Sequence, residues 1–251
     1  MTADELRDLL ERDPGQAAAT VQALGNQGVI AAQLLFGHML LDGDGTVKSP
    51  AAALAWFEHA GAKGDAEAIN MVGRCLEHGW GTEPDAVQAF ACYAYAAKLG
   101  DDWAQYNVAH MYLDGKGVER DAERAAHWYA QAAMQDHARA MNYLGRCYEE
   151  GWGVLQDSAR ASDWYRRSAE GGYFRGQYNW ATALVAKGRL IEAADWLTKA
   201  SGDATPEVRR AIVDYAVQID HPLMQAIATS LAPAPANANA TATATAIPDG
   251  Q

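Results

Sequence analysis

The side chains able to do chemistry lie in stripes rather than in a motif. His38, Arg74, His110, Arg146 and Thr182 follow one another at intervals of 36 residues. Four places before each stand Leu34, Asn70, Tyr106, Asn142 and Tyr178, and three places earlier again Ala31, Glu67, Trp103, Arg139 and Arg175. Spacings of three, four and seven put these rows on one face of a helix. Guanidinium and amide groups gathered on one face suit carboxylates and peptide backbone, because the arginine fork makes paired, charge-assisted bonds. A further row, Asp42, His78, Asp114, Glu150 and Ala186, joins Glu77 and Glu149 to give that face an acidic side. A second reading stands beside this one, in which the same residues are solvated and paired internally as His38–Asp42, His110–Asp114 and Arg146–Glu150.

Catalytic signatures are missing from the sequence. It holds no C-x-x-C, H-E-x-x-H or G-x-S-x-G, and no glycine loop followed by Lys-Ser or Lys-Thr. Asp42-Gly43-Asp44-Gly45-Thr46 opens like a calcium loop, but Ala53 stands where a bidentate glutamate belongs. The two His–Asp pairs fall short of the three or four convergent ligands of a metal site. Neither catalysis nor a cofactor is expected.

The stripes imply the elements that carry them. Gly43-Asp44-Gly45-Thr46 returns as Gly79-Trp80-Gly81-Thr82, Gly115-Lys116-Gly117-Val118 and Gly151-Trp152-Gly153-Val154. A small residue precedes each loop by six places (Gly37, Gly73, Ala109, Gly145). An aromatic pair follows it, Trp56-Phe57, Trp128-Tyr129 and Trp164-Tyr165, with Cys92-Tyr93 in the second unit. A fifth, shortened unit has Ala181 and Trp196-Leu197. Each unit reads as two helices. Loop glycines stop the first, Ser49, Asp85, Asp121 and Asp157 cap the second, and Gly64, Gly100 and Gly172 end it. The tryptophans of the pairs are expected in the core, while Trp80 and Trp152 are left open between a second contact surface and a fold-back onto the adjacent repeat.

With period, loop and aromatic pair in register, the chain resembles the Sel-one-like repeat (SLR) family, relatives of tetratricopeptide repeats. The resemblance is fullest from Ala104 to Val118 and on through Asp121, Ala125, Trp128-Tyr129 and Ala132. It implies an all-α, right-handed α/α superhelical solenoid. The expected divisions are a half repeat or cap (1–29) and repeats at 30–65, 66–101, 102–137 and 138–173. A degenerate repeat (174–204), capping helices (205–231, with Thr205 as N-cap) and a disordered tail (232–251) complete the chain. The first helices of such solenoids line a concave groove, which makes Arg74, Trp103, Tyr106, His110, Arg139, Asn142, Arg146, Arg175 and Tyr178 the candidate partner-binding residues. The resemblance also implies an adaptor without chemistry of its own. Some bacterial members are secreted with paired cysteines, and others of this size are encoded beside iron-uptake receptors.

Composition narrows the partner. Twenty Lys and Arg against 32 Asp and Glu leave a net charge of −12, which argues against nucleic acid. No apolar run reaches the roughly 18 residues of a membrane span, and the acidic start Met1-Thr2-Ala3-Asp4-Glu5 does not read as a secretory signal. Three cysteines do not make a disulfide framework, so thiols and a cytoplasmic location are expected. The leading expectation is a scaffold that holds a peptide or protein segment, with an acidic stretch or free carboxyl terminus facing the arginines. The alternative is an enzyme or regulatory subunit with a small anionic ligand in the groove, and the resemblance implies a further one, an accessory protein of bacterial iron uptake.

Overall fold

A computed structural model describes residues 3–232; the tail expected at 232–251 lies outside them except for Ala232. Among the described residues the only regular structure is helical. The chain forms two compact units, residues 1–176 and 177–251.

In the first unit α1 (Ala3–Arg12) and α2 (Pro14–Asn26) precede four helix pairs. These are α3 (Ile30–Asp42) with α4 (Pro50–Gly61), α5 (Ala66–His78) with α6 (Ala86–Lys98), α7 (Asp102–Asp114) with α8 (Ala122–Met134), and α9 (Ala138–Glu150) with α10 (Ser158–Glu170). Each helix packs on the next in sequence, and α5 also touches α7, so first helices neighbour first helices.

Local chemistry sets the boundaries. The carboxylates of Asp85, Asp121 and Asp157 accept from backbone N–H groups of the helices they start, as Asp13 does at α2. First helices stop at Gly43, Gly79, Gly115 and Gly151, all left-handed. The second loop glycine has another task. A Cβ on Gly153 would run into the Ala122 carbonyl at the start of α8, and one on Gly117 into Ala86 at the start of α6. Each loop thus rests, backbone on backbone, on the second helix of the preceding pair.

The core corrects the expectation for the aromatic pairs. Their second members, Phe57, Tyr93, Tyr129 and Tyr165, are buried, whereas Trp56, Trp128 and Trp164 are only partly so. The small residue six places before the loop explains this. A Cβ on Gly73 would lie 2.8 Å from the Tyr93 ring, and one on Gly145 2.7 Å from Tyr165. Glycine is therefore the socket for that ring. Cys75 and Cys147 are buried thiols and Cys92 is half-buried and free; burial pushes the first two up to about 11 and about 12.

The second unit receives most of α11 (Phe174–Ala186) and holds α12 (Leu190–Asp203), α13 (Pro206–Val217) and α14 (Pro222–Leu231). Leu184, Leu197, Ile212 and Met224 form its interior. Thr205 precedes α13 but its side chain caps nothing, and its buried hydroxyl has no partner among the described residues. Pro206, with its fixed φ, starts the helix there.

Candidate functional site

The rows read from the sequence converge on two clefts in the first unit. One, of about 410 Å³, lies across α3, α5 and the start of α7. His38, Arg74 and Met71 face it together with Glu67, Asp101, Asp102 and Trp103. The second, of about 370 Å³, lies between α7 and α9. His110, Asp114, Tyr143 and Arg146 line it, closed by Arg120 and Trp152 from the loops after each helix.

Arginines here are held by rings. The Arg146 guanidinium lies 4.8 Å from the Trp152 centroid and 5.8 Å from Tyr143. Arg139 lies 5.1 Å from Trp103 and 5.7 Å from Tyr173, and Arg74 5.2 Å from Trp80. These are cation–π distances. Among the described residues none of the three has a carboxylate within 4 Å. Trp80 and Trp152 each cover the arginine of the helix that their own loop follows, a contact within one repeat that neither expectation named. Arg120 donates from Nε to the Leu113 carbonyl at 2.9 Å.

Between the clefts runs an aromatic floor. Tyr106 stacks on His137 (5.0 Å, 26°) and meets Trp103, His110 and Tyr143 edge-on. Tyr129 stacks on Tyr143 beneath it (5.3 Å, 16°). Burial pushes the Tyr106 phenol up and holds His110 below its ordinary value, although Asp114 and Glu77 pull His110 the other way. His137 accepts from the Ala140 N–H through Nδ1 at 3.0 Å, so its proton sits on Nε2, which is buried with no partner among the described residues. The Tyr129 hydroxyl is likewise buried and unpartnered.

The acids divide by environment. Glu77 accepts from the Tyr93 hydroxyl at 2.8 Å and from Lys116 at 2.8 Å, and Glu149 from Tyr165 at 2.6 Å. Both anchor the buried rings rather than forming the free acidic wall expected of them. Burial pushes Glu77 up, but those two bonds prevail and leave it lowered. Negative charge gathers instead at the α5 cleft, where burial, with Asp102, Glu67 and Asp65 nearby, pushes Asp101 up to about 6.

Of the nine residues read from the sequence, Arg74, Trp103, His110 and Arg146 line the clefts, and Tyr106 and Arg139 lie between them. Arg175 is exposed at the start of α11, over Phe174. Asn142 differs from the expectation: it is 2% exposed and sits in the packing of α9 rather than on an open face. Tyr178 belongs to the second unit, near Tyr215. Arg120, His137, Tyr143 and Tyr173 were not foreseen. Arg120 shares its row with Lys48, Pro84 and Gln156, and Tyr143 with Leu35, Met71 and Asn107, so no constant residue type marks either row.

The repeat geometry has a family counterpart. The Sel1 repeat model matches residues 30–65, 66–101, 104–137 and 138–173, more than half of the chain. The chain belongs to the Sel1 repeat family. Sel1 repeat proteins generally mediate protein–protein interaction, and the family is typically a non-catalytic scaffold. A Sel1 repeat protein from Oxalobacter formigenes is similar at 24% identity and a TM-score of 0.76, covering 92% of this chain and 98% of that one. The protective antigen c5321 of uropathogenic Escherichia coli, which displays an SLR fold, matches at 25% and 0.69 over 87% of this chain and 48% of its own. The immunity protein Pa5087 from Pseudomonas aeruginosa is similar at 16% and 0.55, over 80% and 77%. No curated protein matches the sequence. No helix among the described residues is long and apolar enough to cross a membrane.

Proposed function

We propose that the protein is a non-catalytic adaptor that holds an acidic segment of another protein against the α7–α9 face. One observation carries the reading. In a chain of net charge −12, Arg74, Arg139 and Arg146 are positioned by aromatic rings and not by carboxylates. Such a guanidinium keeps its hydrogen-bonding edge for an incoming anion and loses little freedom on binding. Trp103, 45% exposed beside Arg139, adds the kind of aromatic anchor that concentrates binding energy. Buried thiols without disulfides suit a cytoplasmic setting.

Affinity capture from native cells tests the reading. Arg146→Glu is expected to weaken capture of the partner at least about tenfold, since one shielded charge-assisted bond is worth about 1.5–3 kcal/mol. Arg124→Glu, on the exposed side of α8 and already paired with Asp121, is expected to leave it unchanged. Added salt weakens the contact through screening. Equal effects of the two substitutions would reject the face. The second reading, a small anionic ligand, is favoured by one feature, the Arg120–Arg146 cleft of about 370 Å³. It requires a melting temperature that rises with a small carboxylate and no co-purifying protein.

A further inference from the structure

Helix α9 carries cations on both groove rows. Arg139 and Arg146 lie seven residues apart, about 10.5 Å along the axis and only about 20° out of line. The same two rows hold Glu67 and Arg74 on α5, and Trp103 and His110 on α7, so only α9 of these three offers two guanidiniums. Each sits against rings: Arg139 on Trp103 and Tyr173, Arg146 on Tyr143 and Trp152.

A ligand that runs along α9 and matches this spacing presents two carboxylates on one side about 10 Å apart. A β-strand turns successive side chains to opposite faces, so its same-side positions fall at about 6.6 or 13 Å. Polyproline II repeats every three residues at 3.1 Å each, returning a side chain to the same side after about 9.3 Å. Aromatic-lined grooves are also the surfaces that take polyproline segments; Tyr143 and Trp152 line this cleft, and Tyr106 and Trp103 continue the row of rings beside it.

We infer that the α7–α9 face binds a partner segment in the polyproline II conformation with acidic residues at positions i and i+3, one on Arg139 and one on Arg146. The inference rests on the adaptor reading and adds the register and conformation of the segment.

The test uses fluorescein-labelled, proline-rich peptides, capped by acetyl and amide groups, carrying either one glutamate or two separated by two, three, four or seven positions. Fluorescence anisotropy with the full chain is expected to find the three-position peptide tightest, about tenfold over the single-glutamate peptide. Arg139→Gln or Arg146→Gln is expected to reduce it to the single-glutamate level with helicity unchanged. Arg146→Lys, which keeps charge but loses the fork, is expected to fall between. An optimum at two or four positions indicates a strand, and one at seven a helix; either overturns the inference. So do indifference to spacing and binding only when the carboxyl terminus is left free. If no peptide binds while Arg146→Glu still abolishes capture of the native partner, the register is wrong and the adaptor reading survives. If capture is also indifferent to Arg146, both fall.

Discussion

The even pairs and the third pair treat the same buried ring differently. In the second and fourth, Tyr93 and Tyr165 sit against Gly73 and Gly145 and donate to Glu77 and Glu149. In the third, Ala109 and Leu113 occupy those places, Tyr129 stacks on Tyr143, and its hydroxyl finds no partner among the described residues. The next cap departs as well: Asp65 and Asp101 start α5 and α7, but His137 starts α9 and buries its Nε2 with no partner among the described residues. Both unpartnered atoms lie under the aromatic floor that joins Arg139 to Arg146. Local rules are thus broken beneath the face proposed to hold a partner and kept in the second and fourth pairs.

The largest effect that tests this contrast is truncation of a ring in a satisfied pair. Tyr165→Ala is expected to cost about 3–5 kcal/mol in urea unfolding, whereas Trp164→Ala, at the partly buried neighbour, costs clearly less. Equal losses would restore tryptophan as the core member.

Removing only the hydroxyls is a finer probe. Tyr165→Phe strands the Glu149 acceptor and is expected to cost about 1 kcal/mol, while Tyr129→Phe is neutral or stabilising because nothing there is lost. A similar cost at both positions would mean that the Tyr129 hydroxyl has a partner after all.

The cap gives a pH-dependent contrast. Burial holds His137 below its ordinary value, against the pull of Asp102 and with the push of Arg139. The unfolded chain therefore takes up the proton first, and this contribution is complete above about pH 6.5 and lost as pH falls further. His137→Asn caps without titrating. Its advantage in melting temperature over the parent is expected to be larger at pH 5.5 than at pH 7.5. A constant gap would show that protonation leaves the cap intact.

The smallest effect is a repair. Leu113→Gln offers Tyr129 an acceptor and is expected to stabilise by less than about 1 kcal/mol, with no gain when combined with Tyr129→Phe.

Helix pairs, loops and caps were legible because 36-residue spacing ties each to a residue type that one backbone task demands. The buried member of the aromatic pair was not, since volume favours tryptophan while the glycine opposite selects its neighbour. Asn142 looked like a groove residue by row, yet its position faces the packing between helices. Arg120 escaped notice because its row, Lys48, Pro84, Arg120 and Gln156, keeps the spacing but no residue type. The acids misled for a further reason: Glu77 and Glu149 share a row with Leu41 and Leu113, a polar and apolar alternation that belongs to the core rather than the surface.

The seating of each loop on the preceding second helix involves no side chain at Gly117 or Gly153. A joint built from main chain is indifferent to which amino acids surround it, provided nothing protrudes there. Neighbouring modules can then drift in composition, face by face, without renegotiating how they meet. That tolerance is consistent with a similar architecture in the Oxalobacter protein when only 24% of residues coincide. It leaves the exposed rows of α5, α7 and α9 free to become acidic, aromatic or basic in turn.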